Sequence, residues 1–215
     1  MKKTAPPKTD TSLLPPFAGL TLQQIVLVAT AADCVAAAEE ILAAGEAGFD
    51  TEARPTFAPG AISSGPHVLQ FALPDKAFIF QLPQLPDRQP LLQLLQADNL
   101  LKVGFELKSD RLQIHRRLGI RLAGALDLNG VFRRMGYAGS VGARSAVGLV
   151  LQQNFRKSKH VSTSNWALPQ LSERQLLYAA NDAFAALQVY RALKLAGQDM
   201  APDNSGGTAA APLPA

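Results

Sequence analysis

The chain has 215 residues, 47% hydrophobic and 18% charged, with 21 Lys and Arg against 17 Asp and Glu. That balance suits one folded domain with a real core and excludes a wholly disordered chain. No run of 18 apolar residues is free of a charge or a proline, which excludes a transmembrane helix, and the lone Cys34 excludes a disulfide framework or a cysteine-built zinc cluster.

In chain order, residues 1–19 hold Pro6, Pro7, Pro15 and Pro16 with three lysines and are expected to form a flexible arm. Its prolines and charges fall where a signal peptide needs an apolar run, so a cytoplasmic, non-secreted protein is expected. A domain is expected over residues 20–196. Residues 24–30 read as a strand and 31–44 as an Ala-rich helix capped by Thr30. Residues 48–52 read as a strand, and 67–73 with 77–82 as a hairpin turning at Pro74-Asp75-Lys76. A Leu-rich helix over 90–97 precedes a strand over 100–105 and a helix over 109–118 with Ser109 as its cap. A short strand over 123–128 leads to helices near 129–135 and 141–152. A long helix over 172–196 opens on a capping box of Ser172 and Gln175. Residues 197–215, rich in Gly, Pro and Ala, are expected to be a disordered tail. Strands leading, then alternating with helices, indicate an α/β or α+β layered fold.

Charge is uneven. Residues 102–159 carry twelve cations against Glu106, Asp110 and Asp127, leaving the remainder net negative. Such a segment fits a polyanion partner, and equally a solvated helix surface.

Four carboxylates stand where a core-building sequence seldom puts them. Asp50 and Glu52 alternate at a strand end and so share a face, an arrangement that also suits a solvated end. Asp110 opens a helix, where helix capping explains an acid equally well. Asp182 lies mid-helix among Ala, Leu and Phe, where a bare carboxylate is costly to bury. Tyr178, four residues earlier, shares its face.

Together these motifs resemble the DEDDy family of 3′–5′ exonucleases, the group of ribonuclease D and the Werner exonuclease domain. The likeness runs through D-x-E in residues 48–55, Lys102-Val-Gly to Asp110, and residues 157–187 with Ser164-Asn165-Trp166, and it spans residues 20–196. It implies a ribonuclease H-like α/β fold: a mixed central sheet of five to six strands flanked by helices. It also implies Asp50, Glu52, Asp110, Tyr178 and Asp182 as catalytic residues, the four acids holding two divalent ions, Mg²⁺ or Mn²⁺. By the same resemblance Asp50 bridges both ions, Glu52 and Asp182 hold the one that carries the attacking water, Asp110 serves the other through water, and Tyr178 orients the nucleophile. The sister branch places a His where Leu177 stands, so the tyrosine branch is indicated.

Two departures stand out. Phe105 occupies a position where many members have His, and Leu168-Pro169-Gln170-Leu171 replaces an Arg-containing run. The helical domain that follows the nuclease in ribonuclease D is not expected after residue 196. The activity implied is release of nucleoside 5′-monophosphates from single-stranded DNA or RNA 3′ ends. The alternatives are a nucleic-acid binding module with a vestigial site, or a phosphohydrolase of small nucleotides. Lys102, Lys108, Arg111, Arg144, Arg156, Lys157 and Lys159 are candidates for gripping phosphates, and Phe105 and Trp166 for stacking on bases, with Trp166 equally suited to the core. His67, His115 and His160 fit no metal spacing and read as surface or structural, and Cys34 as a small buried hydrophobe.

Overall fold

The hairpin expected at Pro74-Asp75-Lys76 forms two strands of a six-stranded sheet in the structure, a computed structural model that describes residues 2–6, 8–56, 60 and 63–200. Strands β1 (Ile25–Val28), β2 (Glu46–Glu52), β3 (Val68–Ala72), β4 (Ala77–Gln81), β5 (Leu101–Gly104) and β6 (Ala125–Asp127) lie in the order β1-β4-β3-β2-β5-β6. The β2–β3 and β3–β4 pairs are antiparallel and the other three parallel, so the sheet is mixed, as expected. Every residue of β3 and β4 is buried. Their unbroken apolar character, in place of strict alternation, follows from helices covering both faces.

The helices are α1 (Lys8–Thr11), α2 (Ala31–Ala44), α3 (Gln89–Gln96), α4 (Lys108–Leu118), α5 (Leu128–Arg134), α6 (Ala143–Leu151), α7 (Lys159–Ser162) and α8 (Glu173–Leu195). On one face α2, α3 and α4 pack Cys34, Ile41, Leu91, Leu94 and Ile114 onto Phe49, Leu69, Phe71 and Phe80. Each fully buried Phe there contributes roughly 1.5–3 kcal/mol. On the other face α8 lies across Val68, Ala72 and Ile79, with α5 and α6 beside it. Both expected caps of long helices form: Asp33 N donates to Thr30 Oγ1 at 3.1 Å, and Gln175 N to Ser172 Oγ at 3.3 Å.

Ser109 does not cap α4. That helix starts one residue earlier, and Asp127 takes the capping role, accepting from Glu106 N at 3.1 Å and Leu107 N at 3.0 Å while also capping α5 through Asn129 N. Described residues of the arm expected to be flexible make contacts with the domain. Lys3 pairs with Tyr137 and Pro16 with Asn154, and the Phe17 ring lies 5.1 Å from that of Phe155. Asn181 of α8 then clamps Leu20, accepting from its N–H at 2.7 Å and donating to its carbonyl at 3.1 Å. One apolar ring in a matching pocket outweighs the proline content around it. Of the expected tail, residues 201–215 lie outside those described. Among the described residues no helix is long and apolar enough to cross a membrane.

Candidate active site

β2 turns Gly48, Asp50 and Glu52 toward α8, as a period of two requires. A Cβ on Gly48 would overlap the Ala183 carbonyl oxygen, so glycine lets α8 rest directly on the strand backbone. The neighbour of Ala183 is Asp182, which this contact carries over the end of β2. One carboxylate oxygen from each of Asp50, Glu52 and Asp182 lies within 4.8 Å of the other two.

Asp110 arrives from the opposite face. β5 stops at Gly104, where a Cβ would collide with the Leu107 side chain and the Phe49 carbonyl, and the chain turns there into α4. Asp110, buried in the first turn, accepts from Thr51 Oγ1 at 2.5 Å, while Thr51 N donates to Asp50 Oδ1 at 2.9 Å. The end of β2 is thus straddled, with α8 supplying one acid and α4 another. Asp110 stands outside the three-carboxylate group yet near enough that its charge disfavours ionisation of Asp50. A cleft of about 470 Å³ opens above, lined by Asp50, Asp110 and Asp182 with Phe105, Glu106, Arg144 and Lys157.

The electrostatics follow from four acids in a small, dry space. Burial, then Asp110 and Asp182, holds Asp50 well above the usual carboxylate range. Burial, then Asp50 and Asp182, pushes Glu52 up to about 10. Burial raises Asp110 and Asp182 too, although the Thr51 hydroxyl opposes the shift at Asp110 and Lys157 opposes it at Asp182. Lys157 Nζ sits 2.6 Å from Asp182 Oδ2. Burial and Asp182 raise the Tyr178 phenol, whose ring lies 5.9 Å from that of Trp166. Such a set of hard oxygen donors, facing one another with a single lysine among them, fits a divalent cation of the Mg²⁺ or Mn²⁺ type.

The phosphate-gripping and stacking candidates divide. Phe105, Arg144 and Lys157 line the cleft, with Arg144 Nη2 donating to Lys157 O at 3.2 Å. Lys108, Arg111, Arg156 and Lys159 are exposed outside it. The Lys102 expectation is overturned, and Trp166 takes the core place that was one of its two readings. Lys102 is 0% exposed and donates to the carbonyls of Leu94, Ala97 and Leu100 at 2.9, 2.9 and 3.0 Å, closing the C-terminal end of α3. Trp166 is 0% exposed, donates to Ser162 O at 3.2 Å, and backs Tyr178 in place of meeting a base. Sequence reasoning missed Thr51, which alternation places on the other face, and Gln70. Gln70 lies directly opposite Asp50 in the β2–β3 register, fully buried with neither amide atom hydrogen-bonded. A second cleft of about 720 Å³ shares Lys157 and Asp182 with the first, is lined also by Tyr178, and extends past Phe17, Phe155 and Arg174.

A family model described as 3′–5′ exonuclease matches residues 25–198. The mouse bifunctional 3′-5′ exonuclease/ATP-dependent helicase WRN is 30% identical over 175 residues, which is 79% of this chain and 12% of that relative's length. Among solved structures, the Nibbler EXO domain of Aedes aegypti superposes with a TM-score of 0.70 at 23% identity, covering 84% of this chain and 93% of that one. Trypanosoma brucei ribonuclease D in complex with RNA U12 gives 0.70 at 20% identity, covering 79% and 62%. These likenesses identify the ribonuclease H-like α/β fold. The family match begins at the first residue of β1 and runs past the end of α8, so it takes in every element that builds the carboxylate cluster, and the chain belongs to the 3′–5′ exonuclease family.

Proposed function

We propose that the chain removes nucleotides one at a time from the 3′ ends of single-stranded DNA or RNA, releasing nucleoside 5′-monophosphates, through the domain of residues 20–196. The observation that carries this reading is the meeting of Asp50, Glu52 and Asp182 within 4.8 Å at the head of a cleft. Asp50, Glu52 and Asp182 would hold divalent cations, with Asp110, fixed by Thr51, completing a two-ion set. Bound there, two such ions supply positive charge against the phosphate and lower the pKa of a water.

The remaining work belongs to the chain's own groups. Tyr178, a phenol that burial and Asp182 raise above its ordinary pKa near 10, keeps its proton at neutral pH and serves to hold and orient a water, not to deprotonate it. Trp166 packs behind it and fixes the ring. Lys157, at the junction of the two clefts, has its ammonium where a phosphate oxygen would lie against the carboxylates. Arg144 braces Lys157 through its carbonyl, and Phe105 offers an apolar ring on the cleft wall for a terminal base.

The test is product analysis by chromatography after incubation with a single-stranded oligonucleotide. Nucleoside 5′-monophosphates are expected with Mn²⁺ or Mg²⁺, and none in EDTA or with Asp50→Ala. Strand binding without product in either metal would favour the nucleic-acid binding module instead.

A further inference from the structure

Just past Glu52, three arginines gather around one histidine. Arg54 N donates to His67 Nδ1 at 3.2 Å, and His67 N donates to Glu52 O at 2.8 Å, so the group is tied to the end of β2. Arg117 of α4 donates to the carbonyl of Ser64, whose hydroxyl lies 3.4 Å from His67 Nε2. Arg88 Nη2 donates to Leu82 O at 3.2 Å, and Leu82 N in turn donates to His67 O at 2.9 Å. All three arginines are exposed while His67 is buried.

Among the described residues no carboxylate pairs with this charge, and the nearest acid in sequence, Asp87, is turned to Gln89 N at 2.9 Å. The positive groups crowd one another instead. Burial, then Arg88, disfavours the charge on Arg117, and burial, then Arg117 and Arg54, disfavours it on His67. A solvated arginine usually spreads away from its like neighbours. The Arg88 and Arg117 guanidiniums are each held by a backbone carbonyl, and Arg54 is anchored beside them through its main-chain N–H, so three exposed guanidinium-bearing residues are brought to one place. A fork of donors held in that way matches phosphate oxygens.

We infer that Arg54, Arg88 and Arg117 form a phosphate-binding station for the nucleic-acid strand beyond the catalytic cleft. Arg54 stands two residues past Glu52, about 7 Å of extended chain, so the station engages nucleotides upstream of the bond to be cut. It rests on the nuclease reading above for its ligand. It adds a surface on the α4 side of the cleft, apart from the basic residues of the 144–159 stretch.

The test is equilibrium binding of a fluorescent 20-nucleotide single strand in EDTA, across a salt series, alongside hydrolysis in Mn²⁺ of the same strand and of a dinucleotide, whose one phosphate is the one cut. Arg54→Glu is the cleanest variant, because the Arg54 guanidinium has no partner among the described residues. Arg88→Gln/Arg117→Gln supplies the second, with thermal melting as the check on folding. Each variant is expected to weaken 20-mer binding about tenfold at low salt. The log–log salt slope should become shallower by about 0.7 for each phosphate that the variant no longer neutralises. Dinucleotide hydrolysis should be unchanged. Wild-type affinity and slope in Arg54→Glu, or a wild-type chain that fails to bind the strand, would overturn the station. Wild-type protein that binds the 20-mer yet hydrolyses neither substrate would instead overturn the nuclease reading and leave the station standing.

Discussion

Lys157 Nζ lies 2.6 Å from Asp182 Oδ2, which makes one ammonium the counter-charge of the three acids Asp50, Glu52 and Asp182. Asp182 is 3% exposed and Lys157 31%, so the pair is dry on one side and wet on the other. The same ammonium stands 5.4 Å above the Tyr178 ring. Breaking a wholly buried pair costs about 3–5 kcal/mol. With Lys157 part exposed, Lys157→Met should cost about 2 kcal/mol in EDTA. The gain in Tm on adding Mn²⁺ should be larger in the variant than in the wild type, because the cation then meets uncompensated carboxylates. Melting curves with and without Mn²⁺ check both expectations.

Asp50 touches the cluster from its centre, between Asp110 and Asp182. Replacing it with Asn removes one of the repelling charges without changing its size. Asp50→Asn should therefore melt higher than the wild type in EDTA. In the wild type, cation at a hundredfold excess over its Kd stabilises by about 2.7 kcal/mol. In a domain of this size that raises Tm by roughly 5–10 °C, and Asp50→Asn should lose most of the rise. A scan in EDTA, Mg²⁺ and Mn²⁺ reads both effects.

Tyr178→Phe keeps the ring that packs on Trp166 and deletes only the hydroxyl. Loss of its hydrogen bond to the buried Asp182 should cost about 1 kcal/mol, lowering Tm by roughly 2–4 °C. If the hydroxyl orients the water, kcat should fall about tenfold to a hundredfold with KM little changed. Steady-state kinetics on a short single strand separates the two parameters.

Lys102 provides a test of the opposite kind. Its ammonium closes three carbonyls, and Lys102→Met would strand them, at a cost of about 2–4 kcal/mol. Affinity for a single strand should not change in the variant that remains folded. Burial pulls the Lys102 pKa down to about 8 from an ordinary 10.5. Between those values the unfolded chain holds a proton that the folded chain has released, so this lysine makes stability rise with pH there. The wild-type slope over that window should exceed the slope in Lys102→Met, measured by urea unfolding at several pH values.

Much of the site was legible because its residues announce themselves against their surroundings. Asp182 stood out as a charge amid Ala and Phe, and Asp50 with Glu52 as a polar pair sharing one face of a strand. What sequence could not supply was register and burial. Gln70 gains meaning only when β2 and β3 are paired, since that pairing alone sets it opposite Asp50. Lys102 and Trp166 looked like ligands for nucleic acid because cations and aromatics are ordinary at such surfaces. Both are fully buried, and a lone β5 lysine with the carbonyls of α3 above it has no distinguishing mark in one dimension. Likewise the docking of the arm rests on Phe17 reaching Phe155, far along the chain and beyond the reach of any local pattern.

The most direct measurement is a gel time course on single-stranded DNA and RNA, each labelled separately at its 3′ or 5′ end, with Mn²⁺, Mg²⁺ or EDTA and with Asp50→Ala in parallel. Digestion from the 3′ end predicts that 5′-labelled strands shorten one nucleotide at a time, while 3′-labelled strands lose their label at once as mononucleotide. Both should happen only with metal and never in the variant. Internal cuts, shortening from the 5′ end, or the same ladder in EDTA would contradict a metal-dependent 3′–5′ exonuclease.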